Sequence, residues 1–301
     1  QLDDADTTLL QQLTAFAGTF TADDLAGVLG AGTVRATRRL ADRSLVAASV
    51  NGSRTSFRVL HVMRERIHQR LGATPDAVRA AHARWYLQRA RWAVADLTTS
   101  RERLGRDALH EIVDELRAVH RWASERDRPL ALALSATIHP YAQSSLNDEL
   151  LSWTDRLVVD GERPGDDPDD LAIALASSAT RAANRGDHVA GAALARRAIS
   201  IAGCAEARLP ALEALADATL GDGLLDDSDA AYQRLMDEAS SVGNTWYGGS
   251  GATGIWLVAA YAMLMCWPPC TWLFMQKLGK PWVKMPWSVH APFAHDSDSE
   301  T

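Results

Sequence analysis

Residues that could do chemistry are few, and the most suggestive group is a glycine-rich run, Gly249-Ser-Gly-Ala-Thr-Gly254. It fits the G-x-G-x-x-G pattern of turns that bind dinucleotides. That function needs a buried strand before the run and a βαβ unit around it. Here Trp246-Tyr247-Gly248 precedes the run and an apolar stretch follows it. A flexible linker is therefore the favoured interpretation, and nucleotide binding is the alternative.

Two cysteines and several histidines have the right chemistry for metal or redox sites but the wrong surroundings. Cys266 and Cys270 are spaced C-x3-C, whereas a redox or zinc pair uses C-x-x-C or further ligands nearby. We expect two buried or free thiols. His61 and His68 have no thiol or acidic partner at ligand spacing, and we expect them, like His120, at helix surfaces.

Calcium, serine-nucleophile and phosphate-binding motifs are incomplete or missing. An acidic run lacks the glycine and the final glutamate of an EF-hand loop, and a solvated linker is predicted there. Its residues are Asp166, Asp167, Asp169 and Asp170. Ser250 does not complete G-x-S-x-G because position 252 is alanine, and no G-x-x-x-x-G-K-[ST] occurs. The sequence predicts a chain without catalytic residues, metal ligands or a cofactor of its own.

Composition is that of a globular protein. The chain has 301 residues, 47% hydrophobic and 23% charged, with a net charge of −7. At roughly 150 residues per domain, this length predicts about two domains. The negative charge argues against binding nucleic acid through a basic body. Three cysteines are too few for a disulfide framework and fit a reducing compartment, so we expect a cytoplasmic protein.

The ends of the chain differ in composition from its body. Residues 1–12 have no basic region and no long apolar core, so they are not a signal peptide, and a start at Gln1 suggests a fragment. The last arginine is Arg234, all lysines follow it, and six of the ten tryptophans lie beyond position 245. Residues 244–301 are therefore interpreted as an anomalous tail that is a different module, a non-native stretch or a membrane segment.

Part of that tail has the length of a membrane span. Residues 255–275 carry no charge, and 21 residues can cross ~30 Å of hydrocarbon. Three lysines follow, as is typical of the cytoplasmic side. Pro268-Pro269 would break such a helix, and the first half of the run suits a buried helix equally well.

The elements that must position any site are mostly helices. In residues 1–72, three short amphipathic helices precede two apolar runs around Asn51-Gly52, which is the order of a winged helix with a small β-hairpin. Residues 73–165 form a helical connector with the first helical pairs. In residues 166–243, helix pairs recur at about the ~34-residue period of tetratricopeptide (TPR)-like repeats. The fold class is thus mainly α, a winged helix followed by an α-helical TPR-like solenoid.

Four short motifs, in order, resemble one family. Leu10-Gln-Gln-Leu-Thr-Ala-Phe-Ala-Gly-Thr-Phe20 is similar to its "LAVFAGGF" opening, and Leu40-Ala-Asp-Arg-Ser-Leu-Val46 to "L-x-D-K-S-L-V". Residues 57–67 resemble "Y-R-L-L-E-T-I-R-E-Y-A", and residues 81–87 resemble "R-H-A-x-Y-Y-L". The family is the LuxR/AfsR-like group of bacterial STAND-type transcriptional regulators, in which helical repeats follow a winged helix.

The resemblance implies a regulatory middle segment, because the P-loop domain and the output domain have no counterpart here. Its partners would be the nucleotide-binding domain of the parent protein and a protein, peptide or small-molecule ligand on the helical repeats. One alternative is DNA binding through helix 33–43. The residues for DNA or domain contact are Arg35, Arg38, Arg39 and Arg43. Another alternative is a membrane-anchored helical-repeat interaction protein.

Overall fold

The computed structural model describes residues 2–51 and 54–265. It is mainly helical, with a three-stranded antiparallel sheet among the described residues. The prediction of a mainly α chain with a small β-hairpin is confirmed at this level. Two compact units divide the chain, Gln1–Val258 and Ala259–Thr301, and the contacts described below lie within the first.

The N-terminal module combines short helices with the sheet. Asp3 caps the first helix by accepting from the Asp6 amide, and Thr21 with Asp24 forms a capping box on the second. The sheet order is β1-β3-β2, so the hairpin strand β3 is central. Strand β1 was not predicted, since three residues between helices give too short a pattern. The elements are α1 Asp4–Leu13, β1 Thr19–Thr21, α2 Ala22–Leu29, α3 Thr33–Asp42, β2 Ala47–Asn51, β3 Arg54–Arg58 and α4 His61–Leu71.

A long helical stretch follows. Its elements are α5 Asp76–Leu97, α6 Glu102–Arg126, α7 Arg128–Ser144, α8 Asp148–Ser152 and α9 Asp155–Val159. The prediction of one helix over residues 146–158 is wrong. Asn147 caps α8 by accepting from the Leu150 amide, and a turn at Trp153 and Thr154 separates α8 from α9. The hydroxyl of Thr154 donates back to the Leu151 carbonyl and competes with a continuous helix.

Aromatic rings form the core that joins the module to α5. Phe16 stacks on Phe20 with ring centroids 4.2 Å apart, and Phe20 lies 6.1 Å from Phe57 of β3. Tyr86 of α5 meets Phe16 edge-on, and all four side chains are fully buried. These four residues belong to one hydrophobic core that the module shares with helix α5. Burying each phenylalanine side chain contributes up to about 3 kcal/mol to the stability of the folded state.

The remaining described helices pack in pairs. Helix α10 lies against α11, α12 lies against α13, and α10 also contacts α7 and α12. The turns after α10 and α12 are alike, because Gly186 and Gly223 both have positive φ and the next amide reaches back to Ala182 or Thr219. The elements are α10 Pro168–Asn184, α11 His188–Ile201, α12 Ala205–Gly221, α13 Leu225–Ser241 and α14 Thr245–Met265.

The glycine-rich run lies inside α14, so its interpretation as a flexible linker is wrong. A Cβ on Gly254 would lie 2.2 Å from the Tyr232 ring, and one on Gly251 would lie 2.6 Å from Cγ of Met236. These glycines therefore permit a close approach of α14 to α13. Gly249 has open space around it. The dinucleotide interpretation fails on the same ground, because the run forms neither a turn nor a helix start.

Candidate functional site

The four arginines predicted for DNA or domain contact fall into two pairs. Arg39 and Arg43 extend to Asp6 of α1, with N···O distances of 3.4 and 3.1 Å. Arg35 and Arg38 are exposed, and neither has an ion-pair partner among the residues that the structure describes. The structure therefore brings Arg39 and Arg43 into an internal contact and leaves Arg35 and Arg38 free for an external one.

A buried carboxylate, Glu115 of α6, holds the loop that enters the sheet. It accepts from the backbone amides of Ala17, at 2.9 Å, and Gly18, at 2.6 Å. Nε2 of His82, on α5, lies 2.8 Å from its Oε2, and both side chains are buried. Arg64 of α4 donates to two carbonyls of the same loop. Hydrogen bonds to an ionised group are about twice as strong as neutral ones, so Glu115 fixes this loop on α5 and α6.

A second buried carboxylate, Asp24 of α2, binds helix α5 through Trp85 and Arg89, about one and two turns after His82. Its Oδ1 accepts from Nε1 of Trp85, at 2.9 Å, and from Arg89, at 2.8 Å. Its Oδ2 accepts from the Thr21 amide and hydroxyl. Burial alone would raise the pKa of Asp24, but these hydrogen bonds and the Arg89 charge outweigh it and hold the pKa below its usual value.

Together, Glu115 and Asp24 form what we call the joint, the polar contacts that fix the N-terminal module on α5 and α6. Sequence reasoning missed it, although His82 and Trp85 lie in the motif at residues 81–87. The sequence also indicated that Glu115 is buried. Glu115 lies on the apolar stripe of α6 beside Ile112 and Leu116, and a carboxylate at such a position is buried only when it has partners.

An open groove of about 700 Å³ lies between α6 and the α8–α9 segment. His120 lines it, but His120 is stacked on Trp153 rather than free at a helix surface, with centroids 4.5 Å apart. Burial lowers the pKa of His120 to about 4, against a hydrogen bond with the Trp153 carbonyl. A neutral imidazole whose Nε2 contacts Ser124 and this carbonyl is poorly placed as a general base.

The acidic run is a set of structural contacts rather than a solvated linker. The buried carboxylate of Asp166 pairs with Arg128 at 3.0 Å, and Asp167 caps α10. Asp169 accepts from the amides of Gly203 and Cys204, before α12. The run thus ties three helices together.

Several predicted features remain at surfaces or lie outside the described residues. His61 is exposed and lies 3.6 Å from Glu65, whereas His68 is half-buried, with Nδ1 3.3 Å from the Gly72 carbonyl oxygen. No group of three or more His, Cys, Asp or Glu in the described ranges is arranged to hold a metal ion. Cys266 and Cys270 lie beyond residue 265, as does the second part of the 255–275 run. Within residues 2–51 and 54–265, no helix is long and apolar enough to cross a membrane.

Comparisons of the chain with protein-family models, curated proteins and solved structures found no match. Function must therefore be argued from the residues and their geometry.

Proposed function

We propose that the chain is a non-catalytic regulatory and protein-interaction segment of a multidomain STAND-type transcriptional regulator. In this proposal, residues 1–72 are a winged-helix module and residues 166–243 are TPR-like repeats. The segment acts in the cytoplasm, beside a nucleotide-binding domain of the parent protein. Support comes from the order of the four motifs, from the helices and hairpin of the N-terminal module and from the paired helices α10–α13.

The joint is the observation that carries the proposal. Regulation by a ligand requires that two arrangements of the domains differ in ligand affinity. Such a difference can reach a distant domain through packed elements that move together. Glu115 and Asp24 connect α5 and α6 to the module with buried, charge-assisted hydrogen bonds. Because α7 contacts both α5 and α10, a ligand on the helical repeats would act on the module as a body rather than on one loop.

The direct test is the nucleotide chemistry that the proposal denies to this chain. Purified chain incubated with Mg-ATP should release no phosphate above the level of a mock purification. Its melting temperature should not change with added Mg-ATP, because ligands that bind the native state raise stability. Hydrolysis that follows the chain through successive purification steps would contradict the proposal.

DNA binding is a second candidate, and the free pair Arg35 and Arg38 favours it. Both lie on α3, next to the exposed edge strand β2. A gel-shift titration at rising salt tests it, since each phosphate contact adds about −0.9 to the slope of log K against log salt. Arg38→Ala should then make the slope less negative by about 0.9, whereas Arg196→Ala, at an exposed position of α11, should leave it unchanged. Absence of binding at low salt would exclude this candidate.

A further inference from the structure

A surface groove of about 500 Å³ lies where α2 of the module meets α5. We call it the aromatic groove. Its walls come from both elements, so an occupant would contact both sides of the joint. The residues that matter are Asp23, Asp24, Gly27, Trp85, Arg89 and Trp92.

Two tryptophans form its apolar wall. Trp85 and Trp92 meet edge-to-face with centroids 5.8 Å apart. The Trp85 ring is fixed, because Nε1 donates to Asp24 and the ring fills the space where a Cβ on Gly27 would lie, at 2.3 Å. Trp92 is 55% exposed. Tryptophan dominates the energetics of interfaces, so a rigidly backed, exposed indole marks a surface that gains by being covered.

The charged side chains that line the groove, Asp23, Asp24 and Arg89, carry a net negative charge. Arg89 is neutralised by Asp24, which it contacts at 2.8 Å. Asp23 lies in the first turn of α2, exposed, and has no hydrogen bond or ion pair to any described residue. The groove therefore offers one free carboxylate beside an exposed indole, a combination that suits a cation with a flat face.

We propose that the aromatic groove binds an arginine side chain of a partner protein. The guanidinium stacks on Trp92 and donates to Asp23. Arginine fits better than lysine because it is planar, stacks on aromatic rings and presents several donors at once. This inference rests on the proposed function, since it names the chemistry of a partner for the same segment. An arginine held there adds a contact between α2 and α5 and so reinforces the joint.

Fluorescein-labelled hexa-arginine is the probe, titrated with full-length chain and followed by anisotropy. Loss of one cation–π contact of about 1 kcal/mol corresponds to roughly fivefold weaker binding. Trp92→Ala and Asp23→Asn should each weaken binding by about that factor or more. Two controls match them in kind: Trp256→Ala removes another exposed indole, and Asp226→Asn another acid in a helix first turn. Both should bind within twofold of the unmodified chain.

Binding that falls equally in all four variants, or that falls in neither groove variant, would overturn the proposal. Equal losses in Asp23→Asn and Asp226→Asn with no loss in Trp92→Ala would also overturn it and would indicate attraction to the net charge. The absence of binding at low salt would overturn it as well. A second measurement avoids any folding defect of the variants. In chain labelled with 5-fluorotryptophan, hexa-arginine should shift the ¹⁹F resonance of Trp92 and leave that of Trp256 in place; the reverse pattern contradicts the site. If the site fails while Mg-ATP hydrolysis stays absent, the site alone is lost and the proposed function is retained.

Discussion

Replacing Glu213 with glutamine should make the protein more stable at alkaline pH and leave it nearly unchanged in acid. Glu213 lies on α12, buried beneath α14, where Gln143 of α7 and Ser250 of α14 both donate to its carboxyl oxygens. Burial raises its pKa to about 7, helped by the charge of Asp217 and opposed by the two hydrogen bonds. The carboxyl therefore connects three helices, and the folded state loses stability only when this buried group ionises.

The magnitude follows from proton linkage. A glutamate that titrates at 4.5 when unfolded and at about 7 when folded holds its proton more tightly in the folded state. Folding stability then falls as pH rises from about 4.5 to 7 and is constant outside that window. Each pKa unit is worth about 1.4 kcal/mol, so the full penalty approaches about 3 kcal/mol. Glutamine avoids it, because its amide can accept from Gln143 and donate to Ser250.

Urea unfolding at several pH values measures the effect. Burial lowers the pKa of His120 and His139 to about 4. Their contribution to folding stability therefore falls as the pH falls, whereas that of Glu213 falls as the pH rises. The difference between Glu213→Gln and the unmodified chain cancels such shared terms. That difference should grow by up to about 3 kcal/mol between pH 4.5 and 8. Glu206→Gln, at an exposed position of the same helix, is the matched control in these melts. A flat difference for Glu213→Gln would refute the burial of this carboxyl.

Two further predictions concern packing and the joint. Gly254→Ala should destabilise the protein by roughly 1–3 kcal/mol in urea melts, because the added Cβ meets the Tyr232 ring. Gly249→Ala should stabilise it by roughly 0.5–1 kcal/mol, because Gly249 is an exposed helical position with open space around it. Equal effects of the two substitutions would contradict the placement of α14. Glu115→Ala should cost about 3–5 kcal/mol, since it leaves two amides and a buried histidine without an acceptor. Asp6→Ala should cost only about 1 kcal/mol, because its arginine partners are half exposed, and the same urea melts compare the two.

Much of the fold follows from local patterns. Helix pairs such as α10 and α11 were predicted because apolar spacing and turn glycines act within one or two turns of the chain. The split between α8 and α9 was not predicted. At this turn the Thr154 hydroxyl bonds to Leu151 and also contacts Ser178 of α10, a residue 24 positions away that no local pattern indicates. The glycines of α14 suggested a linker because the sequence does not reveal the Tyr232 ring that they accommodate.

The candidate site was harder to predict, because its contacts join residues far apart in the chain. Glu115 and Gly18 are 97 positions apart, and Asp24 and Arg89 are 65 apart. A helical stripe shows that Glu115 faces the core but not which partner it meets there. The sequence treats the four arginines at residues 35–43 alike, and only the position of Asp6 separates Arg39 and Arg43 from Arg35 and Arg38.

The joint is most directly tested by a distance measurement between the module and α6. Spin labels at Arg38→Cys and Glu125→Cys, both exposed, would report it by pulsed electron resonance in a chain whose natural cysteines are serine. We expect one narrow distance distribution, and a broad one when Asp24→Asn and Glu115→Gln are combined. A distribution already broad with both carboxylates present, or one unchanged when both are replaced, would contradict a rigid connection between the module and the helices.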